Sequence, residues 1–239
     1  MIEYNRMLRL LSVTGLTLVI GWLFCSPAVG QKGIQPAVPV MDIRAYRSSI
    51  AENPSNRLVA LDSVIPLLKK DIRYAGTNNF TGRKVYESPG AFTRWEVATA
   101  LKAVADTLER LGLGLMLYDA YRPYRATKIF WELVSDERYV ASPLKGSRHN
   151  RGAAVDVTLY KLEDGSVLPM PTEYDDFSDN AHSRASAKNE EAIRNRTLLQ
   201  KVMVDAGFEL FETEWWHFDF KGWEVFPLLD VSFEDLSRN

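Results

Sequence analysis

Two hydrophobic periods run along this chain, and the changes between them mark its elements. From Trp95 to Leu111, apolar residues fall at Val97, Leu101, Val104, Leu108 and Leu111. Steps of three and four place them on one face of a helix, and Gly112 supplies the stop. "LGLMLYDAY" follows as a run short enough for a buried strand. Pro123 suits the first position of another helix, "PYRATKIFWELV", where its fixed φ and missing N–H cost little. "AAVDVTLY" alternates weakly and is rich in β-formers, so it predicts a strand, with a hairpin turn at Asp164-Gly165 after it. In "EEAIRNRTLLQKVMVDAG", Ile193, Leu199, Val202 and Met203 line one side of a second clear helix that Gly207 ends. "FELF" and "WWHFDF" predict short strands.

The remaining stretches are polar. "AGTNNFTGRKVY", from Ala75 to Tyr86, has loop composition, and residues 171–188 are irregular. Residues 31–57 hold Pro36, Pro39 and Pro54 with little periodicity and read as a linker or N-terminal arm before a domain at 58–239. Helices and strands mix without regular βαβ alternation. The expected fold is α+β: a single domain whose central, largely antiparallel sheet is flanked by helices.

Residues 1–30 differ in kind. Arg6 and Arg9 precede the apolar run "LLSVTGLTLVIGWLFC", and Ala28 and Gly30 are small residues ahead of Gln31. That is the layout of a secretory signal peptide cut before Gln31; a retained membrane anchor is the alternative. Trp22 and Phe24 are too bulky for a lipidation motif at Cys25. The reading places the mature protein in the periplasm or outside the cell, without stable membrane association. Cys25 is the one cysteine of the chain, so the exported part would have neither disulfide nor thiol, and a metal there must use His, Asp or Glu. The formal net charge is −2, with no long basic run, which argues against a nucleic-acid partner.

The chain has three histidines, His149, His182 and His217. A lone histidine near a core is usually a hydrogen-bonding group. Two of these have carboxylates near them: His149 precedes Asp156 at the mouth of a predicted strand, and Glu214 precedes His217 in "ETEWWH". Two imidazoles and one carboxylate form the donor set of a catalytic zinc site, which uses three protein ligands and keeps one position open. Glu214 would remain as the proton carrier. In an ideal strand Glu214 and His217 point to opposite faces, so this reading requires a bend at Glu214. Arg122, between a strand and Pro123, could meet a developing oxyanion, or could be a surface arginine paired with Asp119.

Together "NNFTGRKVY", "YDAYRP", "SRHNRGAAVDVTLY" and "ETEWWH" resemble the D-alanyl-D-alanine dipeptidases, zinc peptidases related to the vancomycin-resistance dipeptidase, in the same order from about Leu58 to Trp223. The resemblance implies a D,D-peptidase/Hedgehog-like zinc fold. It implies one zinc per chain on His149, Asp156 and His217, with Glu214 as general base and acid and Arg122 stabilising the transition state. It also implies Tyr74, Ser147 and Asp175 as residues that hold the two ends of a small D-amino-acid dipeptide. Two features depart from the pattern. The N-terminus reads as exported, whereas familiar resistance dipeptidases are cytoplasmic, and Asp176 beside Asp175 leaves two acids for one ammonium-binding role. The leading expectation is hydrolysis of D-Ala-D-Ala. The alternatives are a D,D- or L,D-carboxypeptidase acting on peptidoglycan stem peptides, and a binding protein that keeps the fold without turnover.

Overall fold

The computed structural model describes residues 36–238, so the apolar N-terminal run and the cut expected before Gln31 lie outside the described residues. In chain order the elements are β1 (Val40–Met41), α1 (Ile43–Glu52), β2 (Leu58–Ala60), β3 (Lys69–Lys70), β4 (Phe92–Arg94), α2 (Trp95–Glu109), β5 (Leu113–Asp119), α3 (Tyr124–Leu133), β6 (Ala154–Lys161), α4 (Glu190–Asp205), β7 (Phe208–Phe211), β8 (Glu214–Phe220), β9 (Leu228–Leu229) and α5 (Phe233–Ser237). The central sheet has the order β3-β5-β6-β8-β7. β3 runs parallel to β5, and every other pairing in it is antiparallel. The architecture is therefore α+β, with the largely antiparallel sheet that the pattern predicts. Two small two-stranded sheets, β1 with β9 and β2 with β4, lie beside it in the topology.

The helical stripes explain what covers the sheet. Val97, Leu101, Val104 and Leu108 of α2 are all buried, as are Leu199, Val202 and Met203 of α4. The two helices pack on each other and on the sheet strands. Each fully buried aliphatic side chain contributes about 1.5–3 kcal/mol. Leu111 departs from its stripe: α2 ends at Glu109, the chain reverses at Gly112 (φ +74°), and Leu111 is 55% exposed. Pro123 occupies the N-cap position of α3, one residue before its first turn, rather than opening it. Asn189 caps α4, its side chain accepting the N–H groups of Glu191 and Ala192.

The stretch read as a linker or arm carries ordered elements. β1 pairs in parallel with β9, and Asp42 caps α1 by accepting the N–H groups of Arg44 and Ala45. Within α1 only Tyr46 and Ser49 are buried, so no apolar stripe announces this helix. Tyr46 ties it down: its hydroxyl accepts the Leu58 N–H at 2.7 Å.

β6 places the chemistry. It is buried on both faces along Ala154–Tyr160. Val155, Val157 and Leu159 share one face and Asp156 and Thr158 the other. A carboxylate at 2% exposure inside such a strand needs partners of opposite charge or strong donors.

Candidate active site

Asp156 lies at the centre of a row across three strands. It pairs directly with Asp119 of β5 on one side and with His217 of β8 on the other. Cross-strand neighbours face the same way, so the sheet itself brings Asp156 and His217 together. His217 Nδ1 stands 3.0 Å from Asp156 Oδ1. His149 arrives from a short 3-10 turn, His149–Arg151, just before β6. Its Nε2 lies 3.1 Å from His217 Nδ1 and 3.3 Å from Asp156 Oδ1. The turn is stitched to the Arg122 loop: Arg122 N–H donates to the His149 carbonyl at 3.0 Å, and Asn150 Nδ2 donates to the Arg122 carbonyl at 2.9 Å.

The outer ring nitrogens decide what the inner ones offer. His149 Nδ1 donates to the Ala120 carbonyl at 2.7 Å, which leaves the Nε2 lone pair facing inward. His217 Nε2 donates to Asp219 Oδ1 at 2.9 Å, which leaves the Nδ1 lone pair facing inward. Two ring nitrogens and a carboxylate oxygen therefore converge at 3.0–3.3 Å, and in the metal-binding state of these groups no proton lies between them. Such an arrangement repels itself unless a cation sits among the three atoms. Atoms bound about 2.0–2.1 Å from a tetrahedral zinc stand about 3.3 Å apart, so the donor set fits that ion in both chemistry and span. His182 stands outside the set and pairs with Asp179 at 3.7 Å.

Glu214 and His217 do reach the same space. Between Leu210↔Phe218 and Phe211↔Glu214 the β7–β8 register slips, so Trp215, Trp216 and His217 have no direct partner on β7. This irregularity supplies the bend that the spacing requires. Glu214 Oε2 lies 3.8 Å from His217 Nδ1, beyond hydrogen-bond reach. Burial pushes the Glu214 carboxyl up to about 8. That is the range of a group able both to take and to return a proton near neutrality.

Arg122 is paired with Asp119, but not at the surface. Its Nε and Nη2 contact Asp119 Oδ2 at 2.9 and 2.8 Å, and the residue is 8% exposed. Nη2 comes within 4.0 Å of Asp156 Oδ2, so the guanidinium borders the donor set. Tyr86 donates its hydroxyl to Asp119 at 2.8 Å, which locks that acceptor from the other side.

The rest of the expected residues line one narrow cavity of about 70 Å³, together with Glu214, Arg122 and the three donors. Ser147 Oγ accepts the His149 N–H at 3.2 Å, which leaves its own proton to donate. Tyr74 donates to Asp175 Oδ1 at 3.0 Å, and Phe80 N–H donates to Asp175 Oδ2 at 3.0 Å. Asp175 has φ 63°, the one positive φ outside glycine among the described residues. Phe80, Phe130, Tyr139 and Phe177 contribute aromatic wall.

Comparison with known proteins agrees with this geometry. A family model described as D-ala-D-ala dipeptidase matches residues 54–233. The chain is 34% identical over 179 residues to the D-alanyl-D-alanine dipeptidase of Escherichia coli (strain K12), covering 75% of this chain and 92% of that one. It is 33% identical over 182 residues to the D-alanyl-D-alanine dipeptidase of Enterococcus faecium, covering 66% and 88%. The chain belongs to the D-Ala-D-Ala dipeptidase family. Among solved structures, the LdcB LD-carboxypeptidase is similar at 21% identity and a TM-score of 0.37, covering 62% of this chain and 69% of that one.

Two residues of this dipeptidase-family site escape the sequence reading. Asp219 orients His217, and strand periodicity carries the signal: residues two apart in "HFD" share a face. Tyr174 donates to Asp156 Oδ2 at 2.9 Å and lies 3.1 Å from the Tyr74 hydroxyl, so it links the metal carboxylate to Asp175 through Tyr74. It sits in the irregular 171–188 stretch, where no periodicity distinguishes it.

Proposed function

We propose that this chain hydrolyses the free dipeptide D-Ala-D-Ala to two molecules of D-alanine, with one zinc ion held by His149, Asp156 and His217. The convergence of two oriented imidazole lone pairs and one carboxylate oxygen beside an uncommitted glutamate carries the reading. Bound zinc supplies Lewis-acid polarisation of the scissile carbonyl and of water. Glu214 then takes the proton of the attacking water and returns it to the leaving amine. Arg122, fixed by Asp119 and Tyr86, faces the carbonyl oxygen as negative charge develops there. Its rigidity means that little reorganisation is needed as the reaction proceeds. Asp175, presented by Tyr74 and Phe80, accepts the substrate ammonium, while Ser147 donates to the carboxylate end. Trp216 and the aromatic wall keep water out and strengthen these contacts.

The narrow cavity and the acid in its wall support a dipeptide over a longer stem. The direct test is release of D-alanine from D-Ala-D-Ala by the zinc-loaded protein, alongside Glu214→Gln. That variant should keep its zinc and lose roughly 10²–10⁴-fold in kcat. Loss of zinc from Glu214→Gln would contradict the separation of ligand from base.

We also infer export. The apolar run from Leu10 to Cys25 and the small residues Ala28 and Gly30 support a signal peptide removed near Gln31. Among the described residues no helix is long and apolar enough to cross a membrane. An enzyme at that location meets dipeptides released from the cell wall.

A further inference from the structure

A free dipeptide is a zwitterion, so its site needs a cation as well as an acid. Two arginines line the cavity, Arg122 and Arg148. Arg122 is committed to Asp119 through both Nε and Nη2. Arg148 is not so committed. Its Nε lies 3.5 Å from Asp219 Oδ2, and this buried nitrogen has no hydrogen-bond partner. The guanidinium is held in place by ring faces instead, 4.9 Å from the Trp223 centroid and 5.9 Å from that of Phe211. Its side chain is 37% exposed, at the cavity mouth rather than in the core.

The position relative to Asp175 is also informative. From Asp156 Oδ2 a line of close polar contacts runs through the Tyr174 and Tyr74 hydroxyls to Asp175. From His217 Nε2 a hydrogen bond reaches Asp219, and Asp219 Oδ2 in turn lies 3.5 Å from Arg148 Nε as an ion pair. Asp156 and His217 face each other on neighbouring strands. The donor set thus has an anionic group reached from one ligand and a cationic group reached from the other. Ser147, next to Arg148, adds a neutral donor.

We propose that Arg148 is the specificity residue that receives the substrate's free C-terminal carboxylate and so fixes the direction in which the peptide lies. This rests on the reading of the cavity as a peptidase site for a substrate with a free C-terminus. It assigns the charged partner of that terminus to a residue outside the ligand, base and transition-state set. A guanidinium suits the role because its planar fork meets a carboxylate with two parallel hydrogen bonds.

The test is binding rather than turnover. Zinc-loaded Glu214→Gln is titrated calorimetrically with D-Ala-D-Ala and with its C-terminal amide. The titrations are repeated on Glu214→Gln combined with Arg148→Gln and with Arg148→Lys, and zinc affinity is measured for each protein. Arg148→Gln should weaken the free acid by about ten- to hundred-fold and change the amide less than about threefold. Arg148→Lys should recover part of the loss, and zinc affinity should stay constant. Equal weakening of acid and amide, or a fall in zinc affinity that accounts for the loss, would make Arg148 a support for Asp219 and overturn the proposal. Binding of neither ligand to Glu214→Gln would overturn the peptidase reading together with this one. Normal binding with an unchanged acid-to-amide ratio in Arg148→Gln would overturn this inference alone.

Discussion

Asp175 is the residue where conformation, charge and recognition meet most visibly. Its φ of 63° is a conformation that a non-glycine residue adopts at a cost of about 1–3 kcal/mol. Burial pushes its carboxyl from the usual 3.8 up to about 7, with the Phe80 N–H and the Tyr74 hydroxyl opposing. In the window from about 4 to 7 the folded chain therefore holds a proton that the unfolded chain has lost. Stability falls as pH rises through that window, and above it the charged form is a standing cost. A substrate ammonium relieves this cost, so KM for D-Ala-D-Ala should rise as pH falls below about 7. Asp175→Asn keeps the backbone conformation, since asparagine tolerates positive φ. It should raise KM at pH 8 by roughly ten- to hundred-fold and flatten the pH dependence of KM. It should also stabilise the protein at pH 8, by about 1–3 kcal/mol, with the gain gone below pH 4. Denaturant unfolding at the two pH values, beside steady-state kinetics, checks both. A KM unchanged by the substitution would remove Asp175 from substrate binding.

The metal residues were legible because the inventory is sparse. With three histidines and one N-terminal cysteine, few donor sets are available. Asp219 was not legible because an aspartate two residues along a strand shares the face of His217 whether or not it bonds the ring. Tyr174 was hidden because its partners, Asp156 and Tyr74, are 18 and 100 residues away in the chain.

Among elements, the turn at His149 and the irregular start of β8 do the positioning. His149 can enter the site because Gly152 (φ +68°) reverses the chain between the turn and β6. A Cβ there would stand 2.5 Å from Leu58 Cδ2 and 3.4 Å from the Arg94 nitrogen, in a backbone conformation that side chains resist. Gly152→Ala should therefore displace the turn, costing about 1–3 kcal/mol and weakening zinc affinity more than Gly207→Ala, whose Cβ would meet nothing within 4 Å. Thermal unfolding of the metal-free proteins and competitive zinc titration would show it; equal zinc affinities would mean that the turn does not set the position of His149. The strand and helix bodies were readable because their faces are regular. The helix at Ile43–Glu52 was not, because it buries only Tyr46 and Ser49. The β7–β8 slip was readable only as a requirement, since the sequence demanded a bend without saying how the sheet would make one.

At the scale of the whole molecule, export and substrate choice are linked. Expressed with its own N-terminus, the protein should be recovered outside the cytoplasm with Gln31, or a neighbour, as its first residue; Met1 at the start of membrane-bound protein would point to a retained anchor. An exported metallopeptidase has access both to free D-Ala-D-Ala and to intact stem peptides that end in the same pair. On the proposed reading the cavity would discriminate between them through the amine end: a blocked or extended amine would leave half-buried Asp175 without the ammonium, which is costly. The most direct measurement is kcat/KM of the zinc-loaded protein on free D-Ala-D-Ala, N-acetyl-D-Ala-D-Ala and a pentapeptide stem. The structure predicts a preference of at least about 10²-fold for the free dipeptide, narrowed by Asp175→Ala mainly through loss on the free dipeptide. Comparable values on the dipeptide and the stem would contradict the dipeptidase account and identify a carboxypeptidase.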